Sequence, residues 1–438
     1  PYPEDYFYYV NKYSDKDVSW YTNDVFYDTK KVDYKVDIKN NEAVFINNGT
    51  AVLPFEVAFY DNSGLEIYRR WYENVEKVKR VSISDQIKTV KIDPDNTLPD
   101  IRPVNNISSK SIALKFIFDQ PNYDKYEIFF MPWFFNYNQY NHWTPGINFY
   151  HGFLPGYDYG IGFKPMWDFN NKKIIGSIKL SNTLYQLGDF YKANISLDIS
   201  SNAGRKGFHF EFKGNQKKYL HSYPNWETKF HIDYHNIFKS AVDTNYYRSG
   251  TLSVGYAALQ LHNRPNSFLN YYFRSSIKIG LVNAQFLRIS FQTNVYYKFT
   301  KKIKSKLRIY FGHFLDASDL PQQYLIYLSG GVDPDFRNDY IINRTPKMNN
   351  LSIGTGQYAI DGPSTHGLIY REGKLKGVNN YALSMNYDMT VPKLPGKLFI
   401  DFVTTQGNDF YFDFGFKKTF GPLLIILPLY HSWVVVKL

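Results

Sequence analysis

From Tyr126 onward, apolar and polar residues alternate in runs longer than those of an ordinary soluble strand. Over 191–199, Tyr191, Ala193, Ile195, Leu197 and Ile199 share one face, and Lys192, Asn194, Ser196 and Asp198 share the other. Residues 286–298 set Leu287, Ile289, Phe291, Val295 and Tyr297 against Arg288, Ser290, Gln292, Asn294 and Lys298. In 303–311, Ile303, Leu307, Ile309 and Phe311 oppose Lys304, Lys306 and Arg308. In 409–416, Phe410, Phe412, Phe414 and Phe416 oppose Asp409, Tyr411, Asp413 and Gly415.

Neighbouring side chains on a strand point to opposite faces, so each run has one apolar face and one charged face. A tilted strand of ~9–11 residues crosses a bilayer. Lipid cannot hydrate a charge, whereas a water-filled or plugged lumen can. The competing fold is a large soluble sandwich or solenoid, whose strands average ~5–6 residues.

Eleven such strands fall between Tyr126 and Leu315, and four more cover 379–391, 396–405, 408–418 and 422–432. Fifteen is an awkward total, because bacterial single-chain barrels close with even numbers. The pattern therefore predicts a transmembrane antiparallel β-barrel of about sixteen strands over 111–438. The missing strand is expected within 316–377 or as a stub at Val434–Leu438. Segment 316–377 is rich in Gly, Pro, Asn and Asp, as in Ser329–Pro334 and Asp361–Ser364, and a connection of that length reads as a functional loop or plug. Phe410, Phe412, Ile289 and Leu307 are expected to face lipid.

The first 110 residues follow other periods. Tyr6, Tyr9, Val10 and Tyr13 recur at helical spacing, so 1–30 reads as a helical segment. From Val32 the period becomes two, with Tyr34, Val36 and Ile38 alternating with Asp33, Lys35 and Asp37. Turns at Asn47-Asn48-Gly49 and Asn62-Ser63-Gly64 then separate about seven short strands. Residues 31–110 are thus a small β-sandwich, and the class as a whole is all-β.

Composition adds to this picture. The chain carries 40 Tyr and 36 Phe, and Tyr settles where one end is apolar and the other wet, as in the girdles of membrane barrels. Mean hydropathy is −0.42. The longest apolar run, Pro422–Tyr430, is about half the ~18 residues that mark a membrane helix. There is no Cys, hence no disulfide framework and no thiol chemistry. The net charge of +11 is spread singly along strands, which favours lumen lining and contact with outer-membrane lipid over a nucleic-acid surface. Pro1 is not a natural start, so a processed or partial product is expected.

Residues 4–106 resemble the junction of helical and sandwich parts in aminopeptidase-N-like zinc metallopeptidases, the gluzincins. The matching pieces are Lys12–Trp20, Val32–Val36, Asn48-Gly49 with Leu53–Val57, and Trp71-Tyr72. They continue with Asp93–Asn96, Leu98–Asp100 and Asn105-Asn106. In that family two His of an HExxH helix and a later Glu bind zinc upstream of this region. No HExxH occurs here, so the resemblance implies that zinc belongs to a part outside this chain.

The nearest look-alike, His231-Ile232-Asp233-Tyr234-His235, lies on an alternating strand. Four residues at ~3.3 Å separate those rings by about 13 Å, too far to share one zinc. Asp93 and Asp100 read as turn-holding residues. No catalytic, cofactor-binding or metal-ligating residue is assigned.

The barrel half resembles the sixteen-stranded assembly and translocation barrels of the surface-antigen type. These carry a long loop whose Arg-Gly-aromatic tip folds into the lumen. The comparable stretch is Gly362–Arg371, where His366 stands in place of the Arg and no aromatic directly follows Gly367.

The expected function is an outer-membrane anchor of a periplasmic metallopeptidase, with the sandwich in the periplasm. The alternatives are a transport or assembly barrel, or a structural subunit of a larger outer-membrane complex with protein partners there.

Overall fold

The computed structural model describes residues 3–435 except 15–17, 19, 29, 121, 135, 139, 152–157, 217–223, 242–243, 245–246, 329–361, 364–376, 393, 395, 407–408 and 421–422; for 241, 409, 419–420 and 423–435 it describes the backbone alone. The chain divides into two compact units. One is Pro1–Met131 with Phe149–Tyr157, and the other is Pro132–Asn148 with Asp158–Leu438.

The first unit opens with helix α1 (Pro3–Tyr13) and a π-helical turn at Tyr21–Phe26. Phe7 is buried among the rings of Tyr21, Phe26 and Tyr27, while Tyr6, Tyr8, Tyr9 and Tyr13 stay exposed.

Six strands follow: β1 (Tyr34–Lys39), β2 (Glu42–Asn47), β3 (Phe55–Tyr60), β4 (Glu66–Tyr72), β5 (Val78–Ser82) and β6 (Thr89–Ile92). They form two three-stranded sheets, ordered β1-β2-β5 and β4-β3-β6, one strand fewer than the turn signals suggest. The inward set of the two-residue period makes the core, with Tyr34, Val36, Phe45, Leu53, Phe55, Phe59, Val90 and Ile92 packed together. Trp20 and Val25 pack against that core, so the helical segment is tied to the sandwich. The Tyr34 hydroxyl is fully buried and bonds both ways to Leu53, accepting from its N–H at 2.8 Å and donating to its carbonyl at 3.0 Å.

The remaining strands are β7 (Ile112–Phe116), β8 (Tyr126–Trp133), β9 (Tyr137–Asn138), β10 (His142–Trp143), β11 (Gly146–His151), β12 (Tyr159–Asp168), β13 (Lys173–Leu187), β14 (Phe190–Asn202), β15 (Arg205–Asn215) and β16 (Asn225–Ile237). After them come β17 (Gly250–Asn263), β18 (Leu269–Val282), β19 (Gln285–Lys298), β20 (Lys304–Asp319), β21 (Ile326–Tyr327), β22 (Gly377–Val378), β23 (Tyr381–Thr390), β24 (Lys397–Thr405), β25 (Asp409–Phe420) and β26 (Leu423–Val435). β9/β10 and β21/β22 are isolated two-residue pairs, and the other sixteen form one sheet. The fold is all-β, a mostly antiparallel barrel sheet preceded by a small sandwich and a short helix.

Two expectations are corrected. Among the described residues the sixteenth strand of the sheet is β7, which runs parallel to β8, where a strand in 316–377 or a stub at Val434–Leu438 was expected. Its five residues lie between turn-forming stretches and carry too short a pattern to stand out. β20 also runs on to Asp319, so the long connection starts later than residue 316.

From β12 to β26 the second unit has thirteen strands, each antiparallel to the next. An odd run leaves Tyr159 and Val435 at opposite ends of that sheet.

Candidate functional site: a polar interior face and the segment inserted on it

Register fixes which side chains share a face. The row Ser276–Ser290–Gly312 and the row Arg308–Asn386–Asp401–Asp413 lie on one face. Ile277, Phe291, Ile309, Met385, Ile400, Phe412 and Phe414 lie on the other.

The polar face is the buried one. Asp401 is 1 % and Arg308 7 % exposed, whereas Ile277 is 48 % and Met385 43 % exposed. Phe412 is exposed on the apolar face, and Phe410, Ile289 and Leu307 are half-buried there. This is a soluble protein's arrangement turned inside out.

Arg308 is the hub of the interior. It donates to the carbonyls of Gly362 at 2.5 Å and Pro363 at 3.0 Å. It also donates to Asn386 Oδ1 and Gln292 Oε1, each at 3.0 Å. Asn386 in turn donates to Asp401 at 2.9 Å, and Ser384 donates its hydroxyl to the Pro363 carbonyl at 3.0 Å. Gly362 and Pro363 are buried, so the tip of the long connection sits on the polar face. A Cβ on Gly362 would meet the Tyr327 carbonyl at 3.0 Å, so a side chain there would crowd the backbone.

Both ends of the connection turn onto the same face. Tyr324, Ile326 and Leu328 join the interior-facing Phe286, Tyr310, Phe314, Val403 and Tyr411 in one apolar cluster. The Tyr324 and Phe286 rings are 5.3 Å apart. β21 pairs with β22, which ties the start of the connection to its end. Gln323 accepts from the Arg248 backbone N–H at 2.9 Å, and Arg248 forms an ion pair with Asp319 at 2.7 Å. Of the segment expected to plug a lumen, residues 320–328, 362–363 and 377–378 therefore pack against this polar face or pair with one another. The His366-containing stretch compared with an Arg-Gly-aromatic tip lies outside the described residues.

His231 and His235 both lie on the polar face of β16, with Asp233 between them. Asp233 is bound at 2.9 Å by His209 Nδ1 and lies 3.4 Å from His231 Nε2, whose ring stacks on Tyr256 at 4.5 Å. Among the described residues no group of three or more His, Asp or Glu side chains is placed to hold a metal ion.

In the sandwich, Asp93 accepts from the Thr97 and Leu98 backbone N–H groups, and Asp100 from those of Tyr34 and Arg102. Both therefore hold turns. Burial pushes the Asp100 carboxyl up to about 6, against the opposing pull of those two N–H donors.

Sequence reasoning placed Arg308 among lumen-lining cations but gave no sign that it held the loop. Its partners lie 16, 54, 55 and 78 residues away, and no local pattern encodes such contacts.

No family model matches the chain, and no curated protein matches it. Among solved structures, the chain is similar to BamA from Haemophilus ducreyi lacking POTRA domains 1–3. The TM-score is 0.36 at 8 % identity, over 98 % of this chain and 91 % of that one.

Proposed function

We propose that the chain is an outer-membrane β-barrel of the transport or assembly kind, with its lumen occupied by its own long connection. The observation that carries this reading is the inversion of polarity, with buried Arg308, Asp401 and Asp413 opposite exposed Ile400, Phe412 and Phe414. Exposed apolar rows on long strands are stable in hydrocarbon and a liability in water.

Aromatic residues at the strand ends fit the same setting. Trp143 stacks on Phe169 at 6.2 Å, and Lys173 lies over both Tyr140 and Phe238. Rings beside lysines suit the headgroup region, where an amphipathic ring and a snorkelling cation are both satisfied.

The docked tip makes the lumen a gated path. Planar-bilayer recordings of the whole chain should show low, intermittent conductance that rises when Arg308 is replaced. Equal, steady conductance in both proteins would count against gating. Absence of tryptophan quenching by brominated lipid in proteoliposomes would count against membrane insertion altogether.

A peptidase-anchor role is a second reading, supported by the exposed rings of Tyr6, Tyr9 and Tyr13 on α1. Such a face suits a covering domain of the kind the aminopeptidase resemblance implies. The gene region preceding Pro1 tests it, because an HExxH there followed by a Glu is required. Under either reading the proposed setting is the bacterial outer membrane, with lipid and other outer-membrane proteins as neighbours and the sandwich in the periplasm.

A further inference from the structure

At the end of the second unit where the β17–β18, β19–β20 and β23–β24 turns gather, the interior face holds a cavity of about 380 Å³. Arg264, Lys298, Lys304, Lys306 and Lys397 line it, and Asp388 is the single carboxylate among the lining residues.

Register makes this lining unfavourable as it stands. Lys298 is the direct cross-strand partner of Lys304, and Lys397 that of Lys417. Like charges directly opposite one another destabilise a strand pair. Asp388 does not relieve the first pair, because it is engaged by Lys417 at 2.5 Å. Lys306 lies over the Tyr296 ring at 5.5 Å and stands directly opposite Asp388, whose carboxylate it shares with Lys417.

The same sheet resolves an identical conflict elsewhere. Lys213 and Lys229 are also direct cross-strand partners, but Glu227 reaches the first at 3.0 Å and Glu211 the second at 2.7 Å. Among the described residues no carboxylate lies at ion-pair distance from Lys298, Lys304, Lys306 or Lys397. The fold thus supplies counter-charges at one lysine pair and leaves space at the other.

The geometry points to an anion site here, for a small solute bearing more than one phosphate-type charge. Lysines act as point charges that gather around a multiply charged oxyanion without requiring a planar fork. The volume exceeds that of one phosphate and falls in the range of small-ligand sites, ~300–1,000 Å³. Lipid is excluded as the source, because these lysines share a face with the buried Arg308 and not with the apolar rows.

The test uses the full chain in detergent micelles, titrated with pyrophosphate at constant ionic strength and followed by calorimetry and thermal unfolding. Saturable binding near one per chain and a raised unfolding temperature are expected, with sodium chloride of equal ionic strength giving neither. The double variant Lys298→Gln/Lys304→Gln should lose about tenfold or more in affinity, since two charges leave a partly enclosed site. Without pyrophosphate it should unfold no lower than the parent, because the repulsion is gone. Lys229→Gln, outside the cavity, should bind as the parent does. Pyrophosphate acting only as sodium chloride does would overturn the inference. So would unchanged affinity in the double variant, or a drop in its unfolding temperature without the anion.

Discussion

Replacing Arg308 by Lys keeps one positive charge but removes the planar fork that reaches two carbonyls, an Asn and a Gln together. Hydrogen bonds to a charged group contribute about 1.5–3 kcal/mol each. Arg308 makes two of these to the tip, so their gross contribution is about 3–6 kcal/mol. A lysine restores part of one bond, and released carbonyls rehydrate, so the net loss of docking should be about 2–4 kcal/mol. At 1.4 kcal/mol per tenfold, the undocked population rises roughly 30- to 700-fold.

The chain lacks cysteine, so Pro363→Cys gives a single labelling site with no background to remove. Pro363 is buried and its contact runs through its carbonyl, which a cysteine retains. Labelling by a polymer-linked maleimide should be slow with Arg308 and faster by that factor with Arg308→Lys. Rates agreeing within threefold in two folded proteins would refute the assignment of Arg308 as the residue that holds the tip.

Other outcomes follow from the same physics. Ile400→Arg on the exposed apolar face should cost about 2–4 kcal/mol if that face meets mid-bilayer lipid, read as reduced insertion into vesicles, whereas Asp401→Asn should leave insertion unchanged. Tyr34→Phe strips a buried hydroxyl from both Leu53 groups and should destabilise the sandwich by about 2–3 kcal/mol, measured by pulse proteolysis in urea. Because the folded Asp100 carboxyl titrates near 6, above its ordinary 3.8, its stabilising contribution is complete below pH 3.8 and lost as pH rises through 6. That loss approaches about 3 kcal/mol. The sandwich should therefore resist urea better at pH 5 than at pH 7.5, and Asp100→Asn should flatten this difference.

The sequence shows the long strands because alternation is local: Phe410, Phe412 and Phe414 against Tyr411 and Asp413 needs only neighbours to be read. It likewise shows that the long connection is special, from its Gly and Pro content. It does not show β7, whose parallel pairing with β8 leaves no periodic trace in five residues. Nor does it show the Arg308 network, whose members come from β19, β20, β23 and the tip, brought together only by register. The lysine conflict falls between these cases. Each lysine is visible, but that Lys298 faces Lys304 depends on a turn length that the pattern leaves open.

Arg308 and Ser384 grip Gly362 and Pro363 entirely through main-chain oxygens. A grip of that kind reads the path of the backbone and ignores the side chains beyond it. The rest of the connection can then diverge, lengthen or carry inserted sequence while the tip remains seated, so long as a residue without a side chain precedes the bound turn. The barrel wall thus acts as a socket that reads main-chain path at Gly362 and Pro363, while the pairing of Ile326–Tyr327 with Gly377–Val378 holds two further points of the connection together.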